Sequence, residues 1–208
     1  MSARERVLRW WLALLGNTIL YGGTGYFAGN PIHAVPPVML DEWIGFSPHA
    51  IWGYMSFFVL IGWTFLRVPA AVARCLTWLI PATSAFAAIF FWLYPTRIGV
   101  AQPCGMENLS AWACHVLQST DTPYNCLPSL HAAISVLCVG ALWSAVGRYA
   151  RMVYLVWAVW ICWSAIALRQ HLSADILAGA VLGAVAVWLA WDQFQAQRLP
   201  KAGLGRTA

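Results

Sequence analysis

The chain has 208 residues, 61% of them hydrophobic and only 9% charged, with a mean hydropathy of +0.66. A water-soluble domain is usually about a quarter charged, so this composition excludes an ordinary soluble enzyme. The net charge of +5 is carried by dispersed residues rather than basic runs, which argues against a nucleic-acid surface.

A bilayer-crossing helix needs roughly 20 mostly apolar residues. Six segments meet that description, near 7–29, 49–66, 71–94, 128–146, 151–168 and 174–192. The first follows Arg4, Arg6 and Arg9, as a leader peptide would. Its apolar stretch is long, however, rich in Trp, Tyr and Gly, and "YFAGNP" is a poor small-residue cleavage site. It reads as a membrane helix. The longest connection, 96–127, contains "ENLSAWACHVLQS", with Leu109, Trp112, Ala113, Val116 and Leu117 at helical spacing. That predicts a short amphipathic helix, able to cover a pocket. The tail "RLPKAGLGRTA" reads as a short disordered basic end from about residue 196. The expectation is an all-α integral membrane bundle of six transmembrane helices, forming a single membrane-embedded domain over 1–208.

The basic residues sort by side. Ten of the twelve (Arg4, Arg6, Arg9, Arg67, Arg74, Arg148, Arg151, Arg198, Lys201 and Arg206) fall on the side of the N-terminus. By the positive-inside rule both termini are cytoplasmic, and the first, third and fifth loops face the periplasm or exterior. The two exceptions are Arg97 and Arg169. All five histidines, His33, His49, His115, His131 and His171, also map to the outward side. Cys75, Cys138 and Cys162 lie in or beside apolar segments and read as packing residues. Cys104, Cys114 and Cys126 share the outward third loop, where an oxidising environment would permit one disulfide in any of three pairings. Gly179 and Gly183 form a G-x-x-x-G spacing that serves either packing inside the bundle or a homodimer. The chain is expected as a monomer or homodimer.

Ionisable groups at the rim of a bundle are a functional hypothesis by default. His171 and Asp175 are four residues apart. On a helix starting near His171 they would share a face, and a carboxylate beside an imidazole fixes its tautomer and steadies its cation. His131 supplies a second imidazole, so nucleophile and proton donor are both available. Arg97 and Arg169 suit a phosphoryl group, because guanidinium forks match its oxygens. The Pro128–Ser129 helix start adds backbone N–H groups for an anion. Taken singly, each has a plainer reading: the arginines as interfacial anchors, Asp175 as a first-turn acid, and Ser129 as a helix cap. His33, His49 and His115 read as loop or interface residues.

"LPSLHAA" resembles the Pro-Ser-x-His motif of the type 2 phosphatidic acid phosphatase superfamily, and "RQHLSADILAG" resembles its last motif, His-x-x-x-Asp before an apolar helix. "YPTR" stands where the first motif supplies an Arg. Two departures are visible: Phe90 stands in the place of a common Lys, and Ser164–Ala165 in the place of Ser-Arg. "RQH" and "DTPYNCLPSLH" are closer to the branch that includes inositol phosphorylceramide synthases and related bacterial membrane proteins.

The resemblance implies that His171 attacks phosphorus, Asp175 orients it, and His131 protonates the leaving oxygen. It implies that Arg97, Arg169 and the Ser129 backbone hold the phosphate, with no metal and no cofactor. The implied substrate is a phospholipid or polyprenyl phosphate in the outer leaflet of a bacterial inner membrane. Water as acceptor makes the protein a lipid phosphatase; an alcohol headgroup makes it a phosphotransferase. Asp121, Asn125 and Glu107 are candidate headgroup or lid contacts. A metal-dependent hydrolase and a proton-relay transporter subunit are the competing classes. The arginines speak against the former.

Overall fold

The computed structural model describes residues 1–25, 30–98, 102–121 and 124–195. The chain runs α1 (Ala3–Gly25), β1 (His33–Val35), α2 (Met39–Trp43), a 3₁₀ turn (Pro48–Ala50) leading into α3 (Ile51–Arg67), then α4 (Ala70–Leu93) and β2 (Thr96–Ile98). It continues with α5 (Leu109–Thr120), α6 (Leu130–Trp143), α7 (Arg148–Ala167), α8 (Ser173–Leu189) and α9 (Trp191–Gln195). The six apolar segments are all helical, as α1, α3, α4, α6, α7 and α8. The amphipathic segment of the 96–127 connection is α5. The tail expected from about residue 196 lies outside the described residues.

Among the described residues three stretches, Pro48–Arg67, Ala70–Leu93 and Arg148–Ala167, are long and apolar enough to cross a membrane by length and composition. The apolar helices α6 and α8 are shorter, at 14 and 17 residues. At about 1.5 Å per residue, 14 residues span about 21 Å, less than a hydrocarbon core of about 30 Å. Both follow or begin at a histidine motif: His131 is the second residue of α6, and His171 stands two residues ahead of α8.

Local chemistry sets these boundaries. Asn108 caps α5, its side chain accepting from the Ala111 N–H, and Ser129 caps α6 by accepting from Ala132. At the other end of the bundle, Arg6 donates to the carbonyls of Phe65 and Val68 at 2.8 and 2.6 Å. A cation thereby meets the negative end of α3 and ties α1 to it.

The main core joins α1, α3, α4, α6, α7 and α8 around Leu60, Ile61, Leu76, Ile80, Ile134, Leu137 and Ile161. Helices α6 and α8 pack so closely that a Cβ at Gly179 would collide with the Ser129 carbonyl. One at Gly183 would collide with the Ala133 carbonyl. The G-x-x-x-G spacing therefore packs α8 onto α6 within the chain. Large apolar side chains such as Leu15, Ile19, Trp78, Val156, Leu177, Val181 and Trp188 are exposed around the outside, an apolar perimeter compatible with lipid contact.

A second, smaller apolar cluster lies at the motif end. It includes Ile44, Ile51, Tyr54, Cys104, Cys114 and Ala165–Leu168. Cys104 and Cys114 are joined as a disulfide, one of the three pairings left open by the sequence. Beside it sits an element the sequence did not announce. Strands β1 and β2 pair in parallel, His33 with Thr96, Ala34 with Arg97 and Val35 with Ile98. At three residues each they are too short for a period-2 signal to stand out.

Candidate active site

Helix α7 ends in a tight turn that carries two of the site residues. The N–H groups of Gln170 and His171 both donate to the Ala165 carbonyl, at 3.0 and 3.2 Å. Arg169 occupies the left-handed region, φ 56°, a position usually taken by Gly after a helix. Such a conformation costs an L-residue about 1 kcal/mol or more. Part of the compensation is visible: Arg169 Nη1 donates to the Asp41 carbonyl at 2.7 Å.

His171 follows this turn, two residues ahead of the helix. Because α8 begins at Ser173, the shared-face relation expected for His171 and Asp175 does not arise. Asp175 Oδ2 stands 3.9 Å from His171 Nδ1 and is occupied by the Leu172 N–H at 2.8 Å. The closer partner of Nδ1 is the Cys126 carbonyl at 3.1 Å. A carbonyl accepts only, so Nδ1 carries a proton, and in the neutral imidazole the lone pair is then on Nε2. Asp175 is fully buried, and its Oδ1 has no hydrogen-bond partner among the described residues. The tautomer is therefore set by the Cys126 carbonyl, with the Asp175 carboxyl beyond hydrogen-bond reach of Nδ1. Burial pushes the Cys126 thiol to about 12, so at neutral pH it stays protonated.

His131 is the second residue of α6. Its ring centroid lies 4.2 Å from that of Tyr54 and 4.5 Å from that of Phe57, and 5.6 Å from that of His171. The aromatic pair of α3 fixes the imidazole, and the turn before α8 brings the second one to it. Helices α6 and α8 are further locked by the Ser129 N–H, which donates to the Asp175 carbonyl at 3.0 Å. This corrects the expectation for Ser129. Its side chain caps α6 and its N–H is engaged by α8, so in this arrangement it does not offer that N–H to an anion.

Arg169 lines a cavity of about 390 Å³ together with Tyr21, Ile98, Gln102, Pro103, Gln118, Asp121, Asn125, Cys126 and Gln170. The wall is rich in side-chain amides. Asn125 donates to the Tyr21 carbonyl at 2.7 Å and to Thr24 Oγ1 at 3.0 Å, and the Tyr21 hydroxyl donates to Asp121 at 2.8 Å. Gln118 holds the loop before α5, donating to the Gln102 carbonyl and accepting from the Cys104 N–H. His171 is 4% exposed and sits outside this wall, next to Cys126 and Gln170. Asp121 and Asn125 are thus brought to the cavity, and Glu107 is not among its lining residues.

Arg97 is not brought there either. Side chains alternate along a strand. On β2, Thr96 is buried and accepts from the Leu127 N–H, Ile98 reaches the cavity, and Arg97 between them is exposed. Of the two arginines expected to hold phosphate, only Arg169 lies at the cavity.

A second, apolar groove of about 510 Å³ runs between α4 and α8. It is lined by Leu79, Phe86, Phe90, Val181, Leu182, Val185 and Leu189, and it reaches Leu127 and Pro128 of the α6 motif. Phe90, standing where the resembled family has Lys, therefore faces an apolar channel.

Sequence reading missed Asp41, whose acceptors hold both Arg169 and the first residue of α8. The one available signal was an acidic residue in an apolar loop, among only seven in the chain. Tyr21, Gln102, Gln118 and Gln170 were also missed; neutral polar residues in loops carry no distinguishing pattern.

No curated protein and no solved structure matches the chain. A family model described as the PAP2 superfamily matches residues 98–199. The matched region takes in His131, Arg169, His171 and Asp175, and begins one residue after Arg97. Over that region, which holds both imidazoles and the acid beside them, the chain is similar to the PAP2 superfamily.

Proposed function

We propose that this chain is a membrane lipid phosphatase of the PAP2 superfamily, acting on a lipid phosphate or diphosphate at the outer leaflet of a cell membrane. The observation that carries the reading is the pair of imidazoles, one at the start of α6 and one in the turn before α8, with ring centroids 5.6 Å apart. In this reading His171 Nε2 attacks phosphorus while the bond from phosphorus to the lipid oxygen breaks. His131 gives its proton to that leaving oxygen. Water then attacks the phosphohistidine, His131 takes the water's proton, and inorganic phosphate leaves with His171 restored. Asp175 steadies the cationic imidazole, and Arg169 holds phosphate oxygens from the cavity. The apolar groove beside Pro128 supports a lipid substrate, because an aliphatic chain can remain in hydrocarbon while its phosphate reaches the polar layer.

A second reading replaces water by an alcohol. The amide-rich wall of the 390 Å³ cavity, with Asp121, favours it, since amides and carboxylates suit a hydroxylated headgroup. One experiment tests both. Purified protein is given a panel of lipid phosphates with and without candidate alcohols, and free phosphate and new phosphodiester are followed together. Phosphate release from a lipid phosphate is expected. Phosphodiester in large excess at modest alcohol concentration replaces the phosphatase by the transferase, and no turnover with any lipid phosphate overturns both.

A further inference from the structure

Asp41 is 1% exposed, in a segment that otherwise faces outward: Met39 and Trp43 on either side are each 85% exposed. A buried carboxylate is costly unless its lone pairs are filled. Here Oδ2 accepts from the Val38 N–H at 2.9 Å, and Oδ1 accepts from the Ser173 N–H at 2.7 Å. The first bond closes the start of α2. The second reaches across to the first residue of α8, where the positive end of the helix dipole favours an anion. The Asp41 carbonyl accepts Arg169 Nη1 at 2.7 Å. A further tie, from the Ser47 N–H to the Ala167 carbonyl at 2.9 Å, fastens the same segment to the end of α7.

One residue thus grips both sides of the turn that holds His171. On one side it spends a single donor of the Arg169 guanidinium, which has five. The fork is fixed without being used up. On the other side it anchors the helix start whose carboxylate faces His171. Arg169 would otherwise hold a left-handed backbone and a long, rotamer-rich side chain at the cavity edge unaided.

We propose that Asp41 is the positioning residue for oxyanion binding, presetting the Arg169 fork and the turn before α8. The inference rests on the reading of Arg169 as the phosphate ligand. It goes beyond the expected set of site residues, none of which lies before β2.

The test is a double-mutant cycle on the full chain, with vanadate as the oxyanion probe. Equilibrium vanadate affinity needs no turnover, so it is judged separately from the catalytic reading. Asp41→Ala and Arg169→Ala are each expected to weaken vanadate by about tenfold or more, the scale of a charge-assisted hydrogen bond. The double variant should be no weaker than Arg169→Ala, since residues acting through one group do not add. Both Asp41 variants keep the main-chain carbonyl that accepts from Arg169 and lose side-chain acceptors that fix its position; Asp41→Asn keeps one of the two and should fall between wild type and Asp41→Ala. It carries the same cycle if Asp41→Ala does not fold. Full additivity, an Asp41 effect within about twofold, or vanadate binding that Arg169→Ala leaves unchanged overturns the proposal. The enzymatic reading stands or falls on phosphate release by the wild type.

Discussion

Nδ1 of His171 lies 3.1 Å from the carbonyl oxygen of Cys126, nearer than the 3.9 Å that separates it from the carboxylate of Asp175. The imidazole is therefore oriented by a carbonyl, with a carboxyl group just beyond hydrogen-bond reach. Asp175→Asn should leave the tautomer in place, because the carbonyl is untouched. An Asn oxygen can still accept the Leu172 N–H, so the fold should survive. What is lost is the charge. At an effective dielectric of about 20, unit charges 4 Å apart interact by about 4 kcal/mol, so kcat should fall by up to about a thousandfold. Steady-state rates beside a melting curve check this, and a full rate with lowered stability would leave Asp175 as a helix cap alone.

The two imidazoles should differ in how they fail. His171→Ala should abolish phosphate release and any acid-labile phosphoenzyme trapped from a labelled substrate. His131→Ala keeps the nucleophile and loses the proton donor, costing on the order of 10²-fold or more with an ordinary alcohol leaving group. A substrate whose leaving group needs no proton should restore much of the His131→Ala rate and none of the His171→Ala rate. Equal, unrescued losses would remove the division of roles.

The six apolar helices were legible because sustained hydropathy is a strong, local signal, though not that α6 and α8 would stop at 14 and 17 residues; α5 was legible because five apolar residues fall on one helical face. His131 and His171 were legible because imidazoles are conspicuous at the mouths of apolar runs. The rest depended on contacts between distant parts of the chain. Whether Arg97 faces the cavity turns on a strand of three residues pairing with His33–Val35, far off in sequence. Whether the Ser129 N–H is available turns on the Asp175 carbonyl, 46 positions later. The spacing of His171 and Asp175 suggested a helix face, yet the helix starts two residues late, after an arginine in a conformation that composition does not betray.

Gly179 offers a test of what the G-x-x-x-G spacing is for. A Cβ there meets the Ser129 carbonyl and the Ala132 side chain, so Gly179→Ala should push α8 away from α6. Overpacking of this kind costs about 1–3 kcal/mol. The displaced backbone carries the bond from Ser129 to Asp175, so activity should fall with stability. If the spacing instead made a dimer, Gly179→Ala would shift the oligomeric state in detergent and leave the melting temperature of the monomer alone.

The arginines separate by position. Arg169 lines the cavity and Arg97 is exposed on β2. Losing a donor aimed at a reacting anion costs about 10²–10³ in rate, the effect expected for Arg169→Ala. An exposed charge is worth about 1 kcal/mol or less, so Arg97→Ala should cost no more than about fivefold. Comparing kcat/KM for the two variants on one substrate decides it. A loss at Arg97 equal to that at Arg169 would mean that β2 turns over when substrate binds.

Orientation follows from the split of basic residues, ten to one side and two to the other. Under the positive-inside rule the dense side is expected in the cytoplasm, and α5, the Arg169 turn and the start of α6 are expected outside. A Cys104–Cys114 disulfide is what an oxidising exterior would permit there. Replacing Cys75, Cys126, Cys138 and Cys162 by Ala keeps the disulfide and removes the other thiols; the Cys126 carbonyl, which holds His171, is unaffected. Into that background a single Cys is placed at Asn108, ahead of α5, or at Lys201, in the tail. In intact cells an impermeant thiol reagent should label the Asn108 variant, and should label the Lys201 variant only after lysis. Labelling in the opposite order would put the imidazoles on the cytoplasmic face, and the substrate would then have to be a lipid of the inner leaflet.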